Sequence, residues 1–313
     1  MGIFSATMQQ MLFLFTIIVI GFVLAKCNIL PKNAAGVLAK LENTVFIPAL
    51  VMGTFIQNFT VERLGATWKL FLASFALMVV VLPLAIFIPK LLSKDDFVRK
   101  IYTYGLAFSN FGFMGNSVVA AIFPDLFWKY LIFTLPLWIL IYLWGVPILL
   151  MPGGEKGQPL KERAKAFLNP MFIGMLVGML IGLLKIPLPD SITNVVTTLG
   201  NCMSPVAMLL TGITVAGIKF RETFANVSIY AVSLIRLLAI PLVFIGVFAL
   251  LPLPEDFVVC AVCSLAMPLG LNTIVIPSAY GKDPSVASGM ALISHLLSCA
   301  TIPFVFLLLT YII

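Results

Sequence analysis

The chain has 313 residues, of which 61% are hydrophobic and 10% charged, and its mean hydropathy is +1.14. So few charges cannot cover a water-soluble protein of this size. At roughly 25 to 30 residues for one bilayer crossing with its connection, the length accommodates about ten crossings and little extramembrane structure. The net charge of +7 is spread too thinly for a nucleic-acid surface and suits cytoplasmic loops instead.

Composition also narrows the chemistry. A single histidine, His295, excludes multi-histidine haem and zinc arrangements, so no cofactor or metal is expected. The five cysteines lie in or beside apolar stretches, which argues against a disulfide framework. Cys260 and Cys263 have C-x-x-C spacing but sit inside an apolar run without a βαβ context, and read as small packing residues.

In chain order, the first apolar run, Met11 to Ala25, has no lysine or arginine before it and reads as a retained helix rather than a cleaved signal. Apolar runs bounded by charges or by Pro/Gly clusters predict helices at about 6–26, 34–57, 67–92, 99–122 and 126–150. A polar cytoplasmic linker at 151–166 follows, and then helices at about 167–185, 190–217, 223–250, 256–281 and 284–311. Gln57 and Asn58 end the second helix and read as interfacial.

If the crossings alternate, the loops after odd-numbered helices hold most of the basic residues, among them Lys26, Lys32, Lys94, Arg99, Lys100, Lys156, Arg163, Lys219, Arg221 and Lys282. The opposite side holds only Arg63, Lys69, Lys129 and Lys185. The excess of Lys and Arg on cytoplasmic loops then places both termini outside the cytoplasm, in the cell membrane.

The two halves match at a shift of about 157 residues: Pro48 falls near Pro205, Pro83 on Pro241, and Asn110 to Gly115 on Pro268 to Asn272. Five crossings in each half force the second to enter the membrane inverted. The predicted fold class is therefore an all-α polytopic membrane protein of ten transmembrane helices, built as two inverted five-helix repeats, 1–150 and 167–313.

Predicted helix 4 contains Ser109-Asn110-Phe111-Gly112-Phe113-Met114-Gly115-Asn116, and predicted helix 9 contains Met267-Pro268-Leu269-Gly270-Leu271-Asn272-Thr273. Both are polar, helix-breaking stretches at mid-membrane depth. Freed N–H and C=O groups there need partners, so such backbone must be buried in protein or line a wet cavity. Matched interruptions in both halves point to a transporter's binding site, where half-helix N-termini suit an anion and asparagines add neutral donors and acceptors. The candidate substrate residues are Asn110, Gly112, Asn116, Pro268, Gly270 and Asn272; the alternative reading is a pair of Gly-rich packing kinks.

These motifs, with Leu41-Glu42-Asn43 and Phe46-Ile47-Pro48-Ala49-Leu50 in helix 2 and Tyr280-Gly281-Lys282-Asp283 after helix 9, resemble the auxin efflux carrier family, whose bacterial members are often described as malonate, malate or auxin-efflux-type permeases. The resemblance covers the whole chain. It implies the fold shared by plant PIN carriers and bile acid sodium symporters, with helices 1, 2, 6 and 7 as a scaffold and helices 3 to 5 and 8 to 10 as a moving transport domain. Helices 4 and 9 would cross at the site, and a homodimer would form through helices 2 and 7. PIN carriers place a proline at each crossing; here Pro268 keeps it and Asn110 takes the helix 4 position.

Three further residues bear on mechanism. Arg236, mid-way along helix 8, either counters a substrate carboxylate or ties backbone carbonyls. Glu42, about two turns inside helix 2, and His295 in helix 10 are candidates for coupling to protons, with a solvated glutamate and a buried neutral histidine as the structural alternatives. No G-x-x-x-x-G-K-[ST] stretch occurs, which leaves an ion gradient or the substrate's own gradient as the energy source. The resulting expectation is a secondary active transporter of a small mono- or dicarboxylate, driven by protons, by sodium or by neither. An intramembrane enzyme would need an acid–base pair or metal that the sequence lacks, and a sensor would need an output domain.

The topology has a direct test. A cysteine placed at Gln158 is expected to react with a membrane-impermeant thiol reagent only after the cells are permeabilised; free reaction in intact cells would refute the orientation.

Overall fold

In the computed structural model the described residues are 2–150, 170–217, 224–279 and 285–313. The linker predicted at 151–166 and the basic residues Lys156, Arg163, Lys219, Arg221 and Lys282 lie outside them. Among the described residues every regular element is helical, and the single β-bridge is isolated.

In chain order the elements are α1 (Ile3–Lys26), α2 (Ala34–Asn58), α3 (Val61–Leu92), α4 (Asp96–Ala107), α5 (Asn116–Ile122), α6 (Pro124–Leu150), α7 (Pro170–Leu183), α8 (Asp190–Ala216), α9 (Val227–Ala249), α10 (Glu255–Leu265), α11 (Asn272–Ala279) and α12 (Ser285–Leu309). Seven stretches, within α1, α2, α3, α6, α8, α9 and α12, are long and apolar enough to cross a bilayer; Phe172–Leu183 in α7 is a shorter apolar helix. α4 has 12 residues, α5 7 (12 with the wide turn Phe111–Gly115 that leads into it), α10 11 and α11 8, each too short to span about 30 Å alone. The predicted breaks at Asn110 and Pro268 thus become two interruptions in the helical ladder.

Local chemistry explains the other irregularities. Proline lacks an N–H and its ring collides with the carbonyl four residues back. In α2 the wide turn Glu42–Phe46 ends two residues before Pro48, and in α9 the wide turn Ile235–Ala239 ends two residues before Pro241. Each π turn shifts the ladder where the proline would otherwise clash, so both helices continue. α8 instead pauses at Cys202, three residues before Pro205.

Two helix pairs form the tightest packing. α1 lies along α8, with Gly21 against the Leu209 carbonyl and Gly212 against the Ile18 carbonyl, while α2 lies along α7. A Cβ at Gly178 would stand 2.6 Å from the Met52 oxygen, and one at Gly182 2.6 Å from the Phe55 oxygen. These approaches need glycine, the close-contact device usual between membrane helices. The remaining elements gather around the breaks: α3 packs on α4 and α6, and α9 packs on α12. Apolar side chains such as Leu72, Val79, Val80 and Phe87 of α3 remain exposed, a lipid-facing surface.

The glycine contacts set a stability expectation. Gly212→Val forces its side chain into the Ile18 carbonyl and should destabilise the purified protein by about 1 to 3 kcal/mol. Gly246→Ala, with open space around it, should be neutral or slightly stabilising. Thermal unfolding in mild detergent measures both.

Candidate functional site: the helix crossing

The two interruptions meet. Ser109 and Leu269 pair as an antiparallel bridge, and the Asn110 backbone N–H donates to the Pro268 carbonyl at 2.7 Å. The Asn110 carbonyl accepts within its own break, from the N–H groups of Met114 and Gly115 at 3.1 and 3.0 Å, and Pro268, which has no N–H, takes part only as an acceptor. Each break thus satisfies backbone groups of the other at a depth where water is scarce.

Arg236 reinforces the junction from α9. Its guanidinium is buried and donates to the Leu106 carbonyl at 2.9 Å and the Ser264 carbonyl at 3.1 Å. These belong to the last turns of α4 and α10, whose carbonyls have no helical partners and carry the negative end of the helix dipole. Leu106 and Ser264 are 158 residues apart, the offset that also relates Asn110 to Pro268. One cation therefore clips equivalent ends of both half-helices. Ser264 accepts a further bond, 2.6 Å, from the Ser109 hydroxyl.

Further side-chain hydrogen bonds complete the shell. The Asn272 amide donates to the Tyr104 hydroxyl at 2.9 Å, the Tyr130 hydroxyl donates to the Phe111 carbonyl at 3.0 Å, and the Leu269 N–H donates to Ser294 at 3.3 Å. The Asn110 amide nitrogen lies 3.1 Å from His295 Nε2, and His295 Nδ1 lies 2.7 Å from the Ala291 carbonyl. The amide oxygens of Asn110 and Asn116 are buried without a hydrogen-bond partner.

Between the breaks is a cavity of about 10 Å3 lined by Asn110, Gly112, Gly270, Asn272, Tyr104 and Trp138, among others. That is about the least that admits one water. Gly112 is pressed against the Trp138 ring, and a Cβ at Gly270 would stand 3.2 Å from the Phe108 carbonyl. A carboxylate can enter only if the crossing opens. A larger open depression of about 530 Å3 lies between Ile122–Leu126 and the start of α10, beside the Lys129–Asp256 ion pair, and contains none of the predicted site residues.

Of the residues singled out in the sequence, Asn110, Gly112, Gly270 and Asn272 line the small cavity, while Pro268 supplies the bridging carbonyl. His295 joins them through Asn110. Asn116 is buried one turn further on, and Arg236 stands behind the cavity rather than in its lining. Glu42 is elsewhere: fully buried in α2, its carboxyl approaches the Ala207 N–H of α8 without a full hydrogen bond. Sequence reading passed over Tyr104 and Tyr130, and gave Ser109, quoted in the break motif, no role of its own. Their signal was a hydroxyl inside an apolar run, which must find a partner at depth.

A family model described as "Membrane transport protein" matches residues 6–306, nearly the whole chain. The chain belongs to this family, the auxin efflux carrier family of membrane transport proteins. No curated protein matches it. In this family member the interrupted, mutually bonded helices are part of a membrane transporter, as the sequence motifs implied. Cys260 and Cys263 are free, buried thiols within α10.

Arg236→Met removes two charge-assisted bonds, each worth about 1.5 to 3 kcal/mol, and is expected to lower the melting temperature markedly. Arg236→Lys keeps the charge but not the planar fork and should recover only part of the loss. Unchanged stability of Arg236→Met would show that the carbonyls do not depend on the clip.

Proposed function

We propose that this chain is a secondary active transporter of a small organic anion, a mono- or dicarboxylate, that works by an elevator-type movement. The carrying observation is the crossing itself: two broken helices bonded to each other and closed over a cavity too small for any substrate, so that function requires the junction to open. Asn110, Gly112, Gly270 and Asn272 form the binding surface on this reading, with Pro268 and Asn116 flanking it. In the closed form the Asn272 amide nitrogen donates to Tyr104, a bond that a carboxylate can exchange for its own, while the Asn110 amide nitrogen is held by His295. Arg236 supplies positive charge from behind the breaks.

The packing supports the remaining elements of the reading. α1 with α8 and α2 with α7 form the proposed scaffold, and exchanging the two halves maps one pair on the other, as ten crossings in two inverted repeats require. The elements around α4, α5, α10 and α11 form the proposed transport domain. Both termini would face away from the cytoplasm at the cell membrane. A homodimer through α2 and α8 is the assembly implied by the family resemblance, and the exposed Val37, Leu41, Ile192 and Val195 on these helices suit it; cross-linking in native membranes checks it. Sodium coupling of the bile acid symporter type is the alternative, favoured by the two unpartnered amide oxygens, since hard cations bind such groups.

A thermal-shift screen against mono- and dicarboxylates, with and without sodium, tests the substrate class, because a ligand that binds only the folded state raises its stability. Asn272→Ala should bind a carboxylate hit about ten- to a hundred-fold more weakly while remaining folded. Wild-type affinity in both Asn272→Ala and Asn110→Ala would remove the crossing as the binding site.

A further inference from the structure

The hydrogen-bond pattern around His295 decides which polarity Asn110 shows to the cavity. A carbonyl only accepts, so the Nδ1 that lies 2.7 Å from the Ala291 oxygen must hold a proton. In a neutral ring Nε2 is then bare, and it accepts from the Asn110 amide nitrogen 3.1 Å away. The amide oxygen is turned away from the ring, and it is the buried oxygen without a partner. The Asn110 amide atom left free to answer a ligand is therefore an acceptor, the wrong polarity for a carboxylate, which can only accept.

A protonated ring reverses this. Nε2–H and the amide N–H2 would face each other as two donors. A half-turn of the amide removes the conflict, placing the oxygen on the imidazolium and the N–H2 toward the cavity, with almost no change of shape.

The surroundings leave the added charge without a counter-ion. α12 packs against α1, α4, α8, α9, α10 and α11. On these, the charges at helix ends are Lys26, Asp190, Glu255, Asp256 and the Asp96–Arg99–Lys100 cluster. Further in stand Arg236, the Tyr104 hydroxyl and the thiols of Cys202, Cys260 and Cys263, with Cys299 on α12 itself, while Tyr102 and Tyr230 lie near the start of α9. Among the described residues of these elements no carboxylate lies at depth. A substrate carboxylate would supply the anion that balances the imidazolium, with Arg236 already set on two helix-end carbonyls.

We propose that His295 is a positioning residue that sets the polarity of Asn110, and that uptake of one proton from water by Nε2 turns the crossing into a carboxylate-donor site, so that substrate and proton are held together. This rests on the organic-anion reading and assigns its coupling ion. Linkage makes the two reciprocal: bound carboxylate favours the protonated ring as much as the protonated ring favours carboxylate.

His295 is the only histidine in the chain, so protein labelled with 15N-histidine reports this one ring by NMR. The neutral Nδ1–H form is expected in the unliganded protein at neutral pH, and a doubly protonated ring on addition of malate or pyruvate. Between about pH 6.5 and 8, where both probes are ionised, affinity in the wild type should rise by up to about tenfold per unit fall in pH, and it should be flat in His295→Gln. An Nε2–H ring in the unliganded protein overturns the polarity assignment alone. Tight carboxylate binding with a neutral ring and no pH dependence overturns the coupling while sparing the substrate class. An Nδ1–H ring with no carboxylate bound at any pH overturns the organic-anion reading and the linkage that rests on it.

Discussion

A peptide group in the middle of a bilayer has no water to bond, and each one left unpaired costs several kcal/mol. The structure around Asn110 and Pro268 is organised by that constraint. Two helices are interrupted side by side, and their freed groups are answered by each other, by a guanidinium and by the hydroxyls of Tyr130 and Ser294 from neighbouring helices. Neither break could be tolerated alone, because its last carbonyls and first N–H groups would face side chains that offer no hydrogen bonds.

Arg236 shows how the same constraint gives an isolated cation a place at depth. Its partners are carbonyl dipoles of two helix ends, not a carboxylate, so its charge is spread along two peptide ladders yet still felt in the cavity beyond them. The two dipole ends offset much of that charge without a carboxylate being buried beside it.

Rigidity and looseness are divided by the same chemistry. Where glycines let α1 meet α8 and α2 meet α7, backbone touches backbone and little can slide. At the crossing, by contrast, the contacts are a handful of hydrogen bonds, each exchangeable for one to water or to a ligand. A cavity of single-water size and a junction of exchangeable bonds together are what the proposed opening of the crossing would act on.

The sequence by itself determined that the chain is helical and membrane-embedded, where the helices run, and that predicted helices 4 and 9 must break, because apolar run length, proline chemistry and glycine content act locally along the chain. Asn110, Gly112, Gly270 and Asn272 were legible as cavity residues for the same reason: polar or helix-breaking residues in an apolar run have few structural explanations. Tertiary structure alone decided the partners. Nothing in the spacing of Arg236 places its guanidinium on carbonyls 130 and 28 residues away, and nothing in His295 assigns it to Asn110, 185 residues distant. It separated Glu42 from the crossing for the same reason. Hydrogen bonds between helices depend on how two rigid elements are rotated and offset, and that geometry is set by close packing of the whole assembly, which no local run of residues encodes.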